Sequence, residues 1–169
     1  MKDTLTYTLL TFLIVASVQA QDSRPTVAIL DFEGQGISVQ EVQTLTERMR
    51  SEIGATNAVR LIERKAIESI MAEQGLAQSG CVSEECAAEV GQLLGVQFMI
   101  SGTIGKLGDT FTIDVKMFSV ETGATERSVN ATHEGNISGL LTEMQIFGMG
   151  DCRFTATPAT KVKTWRRTG

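Results

Sequence analysis

A chain of 169 residues, 42% hydrophobic and 21% charged, has the size and apolar content of one ordinary globular domain, which excludes a disordered protein as its class. The net charge of -5 is unevenly spread: residues 21–147 carry 9 Lys/Arg against 18 Asp/Glu, whereas residues 148–169 carry 5 against 1. An acidic body lacks the clustered basic face that displaces counterions from a phosphate backbone, so nucleic acid is not the expected partner.

The first twenty residues read as an export signal. Lys2 precedes the apolar run Leu9–Ala16, and Ser17-Val18-Gln19-Ala20 has the small-residue pattern of a signal-peptidase site, which predicts cleavage after Ala20 and a mature start at Gln21. The apolar run is well short of the roughly 20 residues that span a bilayer, so no transmembrane segment is expected in the mature chain. No Cys follows the cleavage point, and an N-terminal lipid anchor is therefore not expected.

After Pro25, the continuous apolar run Thr26–Phe32 predicts a strand buried on both faces. Val39, Val42, Leu45, Met49 and Ile53 then recur at helical spacing, with Ser38 as N-cap, Glu41 as its capping-box partner and Gly54 as the stop. Ala58–Ile62 reads as a second strand and Glu63–Gln74 as a second helix closed by Gly75. Strand, helix, strand in that order predicts a parallel crossover unit. A third helix is expected from Ser83 to Leu94, stopped by Gly95, followed by a strand over Val96–Lys106. Gly108-Asp109 makes a tight turn into Thr110–Val120, where Phe111, Ile113, Val115 and Met117 alternate with polar residues; Glu121-Thr122-Gly123 turns the chain into Ala124–His133. The polar alternation of that last strand predicts a half-exposed strand or a sheet edge. Asn136 or Ser138 caps a final helix with Ile137, Leu140, Leu141 and Met144 inward, and beyond Phe147 the periodicity ends, so residues 148–169 are expected to be a basic, disordered tail. The expected fold is α/β (α+β): one domain over residues 21–147, a mixed sheet of about five strands in the order β-α-β-α-α-β-β-β-α, with helices packed on the sheet.

No catalytic constellation emerges. The lone His133 has no orienting partner in the sequence pattern, and a satisfied surface histidine is the commoner role at a strand end. Asp31 and Glu33 follow the first strand at its C-terminal end, where open α/β sheets hold ligands, which makes them candidates for ligand or partner contact, although loop carboxylates more often cap backbone amides. Gly34-Gln35-Gly36 lacks the third glycine of a dinucleotide fingerprint, and Gly105-Lys106 lacks the Ser or Thr of a phosphate loop; both are expected to be turn and sheet glycines. No cofactor is implied. In an oxidising compartment Cys81 and Cys86 are expected to form a small disulfide loop; zinc is the rival reading, but the remaining ligands, Cys152 and His133, lie far off in sequence. Cys152 is left over.

Taken in order, Val27-Ala28-Ile29-Leu30-Asp31-Phe32, Leu61-Ile62-Glu63-Arg64, Cys81 to Cys86, Leu94 to Lys106 and Val120-Glu121-Thr122-Gly123 resemble the curli secretion component CsgG family, with the TolB amino-terminal and FlgO-like envelope domains as its relatives. The resemblance implies an anticodon-binding-like fold in the cell envelope, assembled through protein contacts. A CsgG pore needs long membrane hairpins of about 9 to 11 residues per strand, and this chain joins its strands by short turns. The expectation is therefore an exported, non-catalytic protein-binding module of the periplasm, an accessory in outer-membrane assembly or secretion. It would meet envelope proteins or copies of itself and be peripheral to the outer membrane at most. A pore-forming secretion subunit and a small-ligand-binding domain are the alternatives.

Overall fold

The computed structural model describes residues 22–75 and 84–150. In chain order the elements are β1 (Thr26–Ile29), β2 (Glu33–Gln35), α1 (Val39–Ala55), β3 (Arg60–Leu61), α2 (Arg64–Glu73), α3 (Glu84–Leu94), β4 (Phe98–Leu107), β5 (Thr110–Ser119), β6 (Thr125–Glu134), a 3-10 turn (Ile137–Gly139) and α4 (Leu140–Gly150). The strands form one mixed sheet in the order β3-β1-β4-β5-β6, with β2 also paired to β4. β1 runs parallel to β3 and β4, as the crossover pattern requires, and β4-β5-β6 is an antiparallel meander.

Each face of the sheet has its own core. Val27, Ile29, Ile100, Ile104, Phe111 and Ile113 point toward α1 and α4, where Val42, Leu45, Met49, Leu140 and Met144 meet them. Ala28, Leu30, Met99 and Phe118 point the other way, against Ile67 and Met71 of α2 and Ala87 and Val90 of α3. β1 is buried on both sides because helices cover both, which is why its sequence reads as an unbroken apolar run.

The helix signals translate directly. Ser38 caps α1: its hydroxyl accepts from the Glu41 amide, while the Glu41 carboxylate accepts from the Ser38 amide at 3.0 Å and from its hydroxyl at 2.6 Å. Glu41 is thereby held below the usual carboxylate pKa, chiefly by the Ser38 hydroxyl. Gly75 and Gly95 leave α2 and α3 with φ of +68° and +64°, the left-handed conformation that ends helices.

Three boundaries differ from expectation. The first strand stops at Ile29, and the chain forms the separate strand β2, whose three residues Glu-Gly-Gln carry no alternation to announce it. Gly34 is required there, since a Cβ would lie 2.6 Å from Cγ2 of Val42. Gly54 does not stop α1: the helix continues to Ala55, and Asn57 takes the left-handed turn at φ +53°. α4 continues past Phe147 to Gly150, because Gly148 is a point of close approach and not a helix breaker: a Cβ there would come within 2.3 Å of Glu52 Cβ on α1.

Candidate functional site

Asp31 lies at the C-terminal end of β1, the expected place, but its charge is already committed. Arg64, the first residue of α2, brings Nη2 to 2.7 Å from Oδ2, and Arg50 of α1 brings Nη2 to 3.7 Å from Oδ1. Arg50 also donates from Nη2 to the Ile29 carbonyl at 2.6 Å and pairs with Glu47, while Arg64 Nε lies 2.9 Å from Oε1 of Glu68. Asp31 and Arg50 are nearly buried, with side chains 11% and 10% exposed. The cluster is a joint tying both helices to the end of β1; Arg50 and Arg64 were not expected in it, because nothing in the spacing of a helical arginine says which strand end it will meet. Glu33 does not converge with Asp31. It is a half-buried strand residue opposite Thr103 of β4.

Cys86 is partly buried against the α2/α3 core, but Cys81 lies outside the described residues, as do Ala20, Gln21 and Cys152. His133 Nδ1 stands 4.0 Å from Glu143 of α4, and its ring lies against Gly139, where a Cβ would come within 2.1 Å of Nε2. Among the described residues no group of three or more His, Cys, Asp or Glu side chains gathers to hold a metal ion, and no helix is long and apolar enough to cross a membrane. A hollow of about 560 Å³ opens at the strand ends beside Glu41, Lys106, Asp109 and Asn136; Glu41 is occupied by Ser38, and Lys106 Nζ sits 5.3 Å from the centroid of the Phe111 ring.

The feature with the clearest capacity to bind is the free side of β6. This ten-residue strand is the last in the sheet and pairs only with β5 among the described residues. Which of its backbone groups face outward follows from the phase of the ladder. Gly135 N donates to Asp109 O at 2.9 Å, so the Asp109 and Gly135 pair is hydrogen-bonded. In an antiparallel ladder bonded and non-bonded pairs alternate, which makes Phe111–His133, Ile113–Ala131 and Val115–Val129 bonded, and Thr112–Thr132, Asp114–Asn130 and Lys116–Ser128 non-bonded. Residues of a non-bonded pair turn their N–H and C=O away from each other. Ser128, Asn130 and Thr132 of β6 therefore present their amides and carbonyls to the outside. Their side chains share a solvent-exposed sheet face with Asp114, Lys116 and Glu134, whereas Arg127, Val129, Ala131 and His133 are half-buried toward α4. Near the start of the strand, between Met117 and Phe118 of β5, the register shifts by one residue and leaves Glu126 without a partner.

The family model described as curli production assembly/transport component CsgG matches residues 13–111. A comparison with curated protein sequences returned no match. Among solved structures, the lipoprotein GNA1162 from Neisseria meningitidis superposes with a TM-score of 0.58 at 13% identity, over 79% of this chain and 99% of that one. The LpoB C-terminal domain from Salmonella enterica gives 0.55 at 14% identity, over 72% and 93%. A PelC dodecamer from Paraburkholderia phytofirmans gives 0.50 at 13% identity, over 75% and 85%. At such identities the likeness is one of fold. The sequence match spans more than half of the chain, which therefore belongs to the CsgG family.

Proposed function

We propose that this protein is an exported, non-catalytic accessory of outer-membrane assembly or secretion that binds an envelope protein along the free edge of β6. The observation that carries the reading is the row of outward amides and carbonyls at Ser128, Asn130 and Thr132, since an unpaired edge of this length accepts an extended segment by strand addition. Membership of the CsgG family supports the envelope setting, and the signal-peptide pattern ending at Ala20 supports export with a mature start at Gln21. The periplasm is an oxidising compartment, which supports a bond between Cys81 and Cys86 at the start of α3.

The test has two arms. Tagged chains with and without residues 1–20 are fractionated; the full chain is expected in the periplasm, starting at Gln21, and the truncated one in the cytosol. A photo-crosslinking residue at position 132 is expected to capture a partner from the envelope, and Asn130→Pro, which removes one outward amide, is expected to abolish that capture. A full-length product retained in the cytosol with Met1 intact would end the proposal.

A further inference from the structure

We infer that the segment received by β6 is a basic extended stretch of the partner protein, with two Lys or Arg side chains four residues apart and apolar residues at the interleaved positions; this rests on the edge reading above.

The basis is the side-chain pattern on either side of the edge. On the exposed face the row Thr103, Asp114, Asn130 crosses three strands, and the next acid along the edge is Glu134, four residues from Asn130. Neighbouring strands stand about 4.8 Å apart, so an added strand lies roughly 10 Å from β5. A long basic side chain opposite Asn130 passes over that short amide toward the Asp114 carboxylate; a second, four positions on, meets Glu134 directly. Neither carboxylate has an ion-pair partner among the described residues, and opposite charges across a sheet stabilise a pair whereas like charges oppose it. On the other face the new strand lies beside half-buried Val129 and Ala131, with Phe147 of α4 lining a small hollow next to Val129. Apolar residues at the alternate positions extend that surface.

A second copy of this chain fits poorly. The exposed-face residues of β6 that would enter the pairing are Ser128, Asn130, Thr132 and Glu134, which bring no base to Asp114 and would add a second carboxylate to the edge that already carries Glu134.

The probe is a capped nine-residue peptide with lysine at positions 3 and 7, threonine at the other odd positions and valine at the even ones; its palindromic pattern serves either strand direction. Binding to the full chain is followed by fluorescence anisotropy. The peptide is expected to bind at least tenfold more tightly than its counterpart with glutamate at positions 3 and 7, and the D114K/E134K double variant to reverse that preference. Asn130→Pro is expected to eliminate binding of both peptides with an unchanged circular dichroism spectrum.

Equal affinity for the two peptides, with Asn130→Pro still eliminating both, overturns the inferred chemistry while leaving the edge in place. Unchanged binding in a folded Asn130→Pro chain overturns the edge and the inference together. If the lysine peptide binds only after residues 151–169 are removed, the occupant is the chain's own basic tail and the partner segment is refuted; a dimer dispersed by Asn130→Pro but unaffected by the peptide refutes it in favour of a second copy.

Discussion

The Asp31 carboxylate and the Arg64 guanidinium meet at 2.7 Å across the junction of β1 and α2, with Arg50 of α1 closing the same site from the other helix. A carboxylate so placed ties both helices to the strand end. Removing it leaves nearly buried Arg50 with Glu47 as its one remaining carboxylate among the described residues, and taking one partner from an ion pair in so dry a place is costly.

Asp31→Ala is accordingly expected to destabilise the fold by about 3 kcal/mol. Glu33→Ala, on a half-buried strand residue, is expected to change stability by no more than about 0.5 kcal/mol. Urea unfolding monitored by circular dichroism measures both. Equal, negligible effects would return Asp31 to the pool of residues available for a ligand.

The ladder phase of β6 predicts a contrast between adjacent prolines. Val129 directs its amide to β5, so Val129→Pro deletes a ladder bond and is expected to cost about 3 kcal/mol. Asn130 directs its amide outward, and Asn130→Pro is expected to cost about 1 kcal/mol or less. Thermal unfolding of the two variants decides the phase. A reversed order would show that the odd-numbered residues face the edge instead.

The approach of α4 to α1 at Gly148 predicts intolerance of any side chain there. The nearest atom to a new Cβ is Glu52 Cβ at 2.3 Å, with the backbone of Glu52 and Ile53 at 3.3 Å, so the helices themselves must separate. Gly148→Ala is expected to cost roughly 1–3 kcal/mol by overpacking, and Gly148→Val more. Gly75→Ala is expected to lose stability by strain at positive φ, with open space around its Cβ, which a comparison of crystal structures of the two variants would separate.

The capping box predicts a pH dependence. Hydrogen bonds from Ser38 hold Glu41 below its ordinary pKa, so the folded state favours the carboxylate. A group depressed in the folded state contributes stability above its unfolded pKa, and that contribution is lost as pH falls through the folded value. Ser38→Ala is expected to cost about 1 kcal/mol at neutral pH. The Glu41 resonance in a carbon-detected NMR titration should shift to a higher midpoint in that variant. An unmoved midpoint would mean that the box is open in solution.

Thiol labelling without reductant checks the Cys81 and Cys86 bond: neither thiol should react until reductant is added, while Cys152 should react at once. Rapid labelling of all three would leave the pair reduced.

Much of this architecture was legible in the sequence, because periodicity records which face of an element is covered. The unbroken run at Val27–Leu30, the 3.6-residue recurrence from Val42 to Ile53 and the two-residue alternation from Phe111 to Met117 each state how an element is buried, and burial dominates folding. Local hydrogen bonding was legible too: Ser38 and Glu41 lie three residues apart and needed no distant partner. The half-polar pattern of Ala124–His133 pointed to a half-exposed strand or a sheet edge, and β6 is last in the sheet with every second residue exposed.

What only the tertiary structure decided involves groups brought together from distant parts of the chain. β1, α1 and α2 place Arg50 and Arg64 against Asp31, and no local pattern encodes that convergence. The outward direction of the Asn130 amide depends on a register fixed by the hydrogen bond between Gly135 and Asp109, and a slip of one residue would turn that amide inward. Sequence specifies what each segment buries; the pairing of segments determines which polar groups are left over to bind something else.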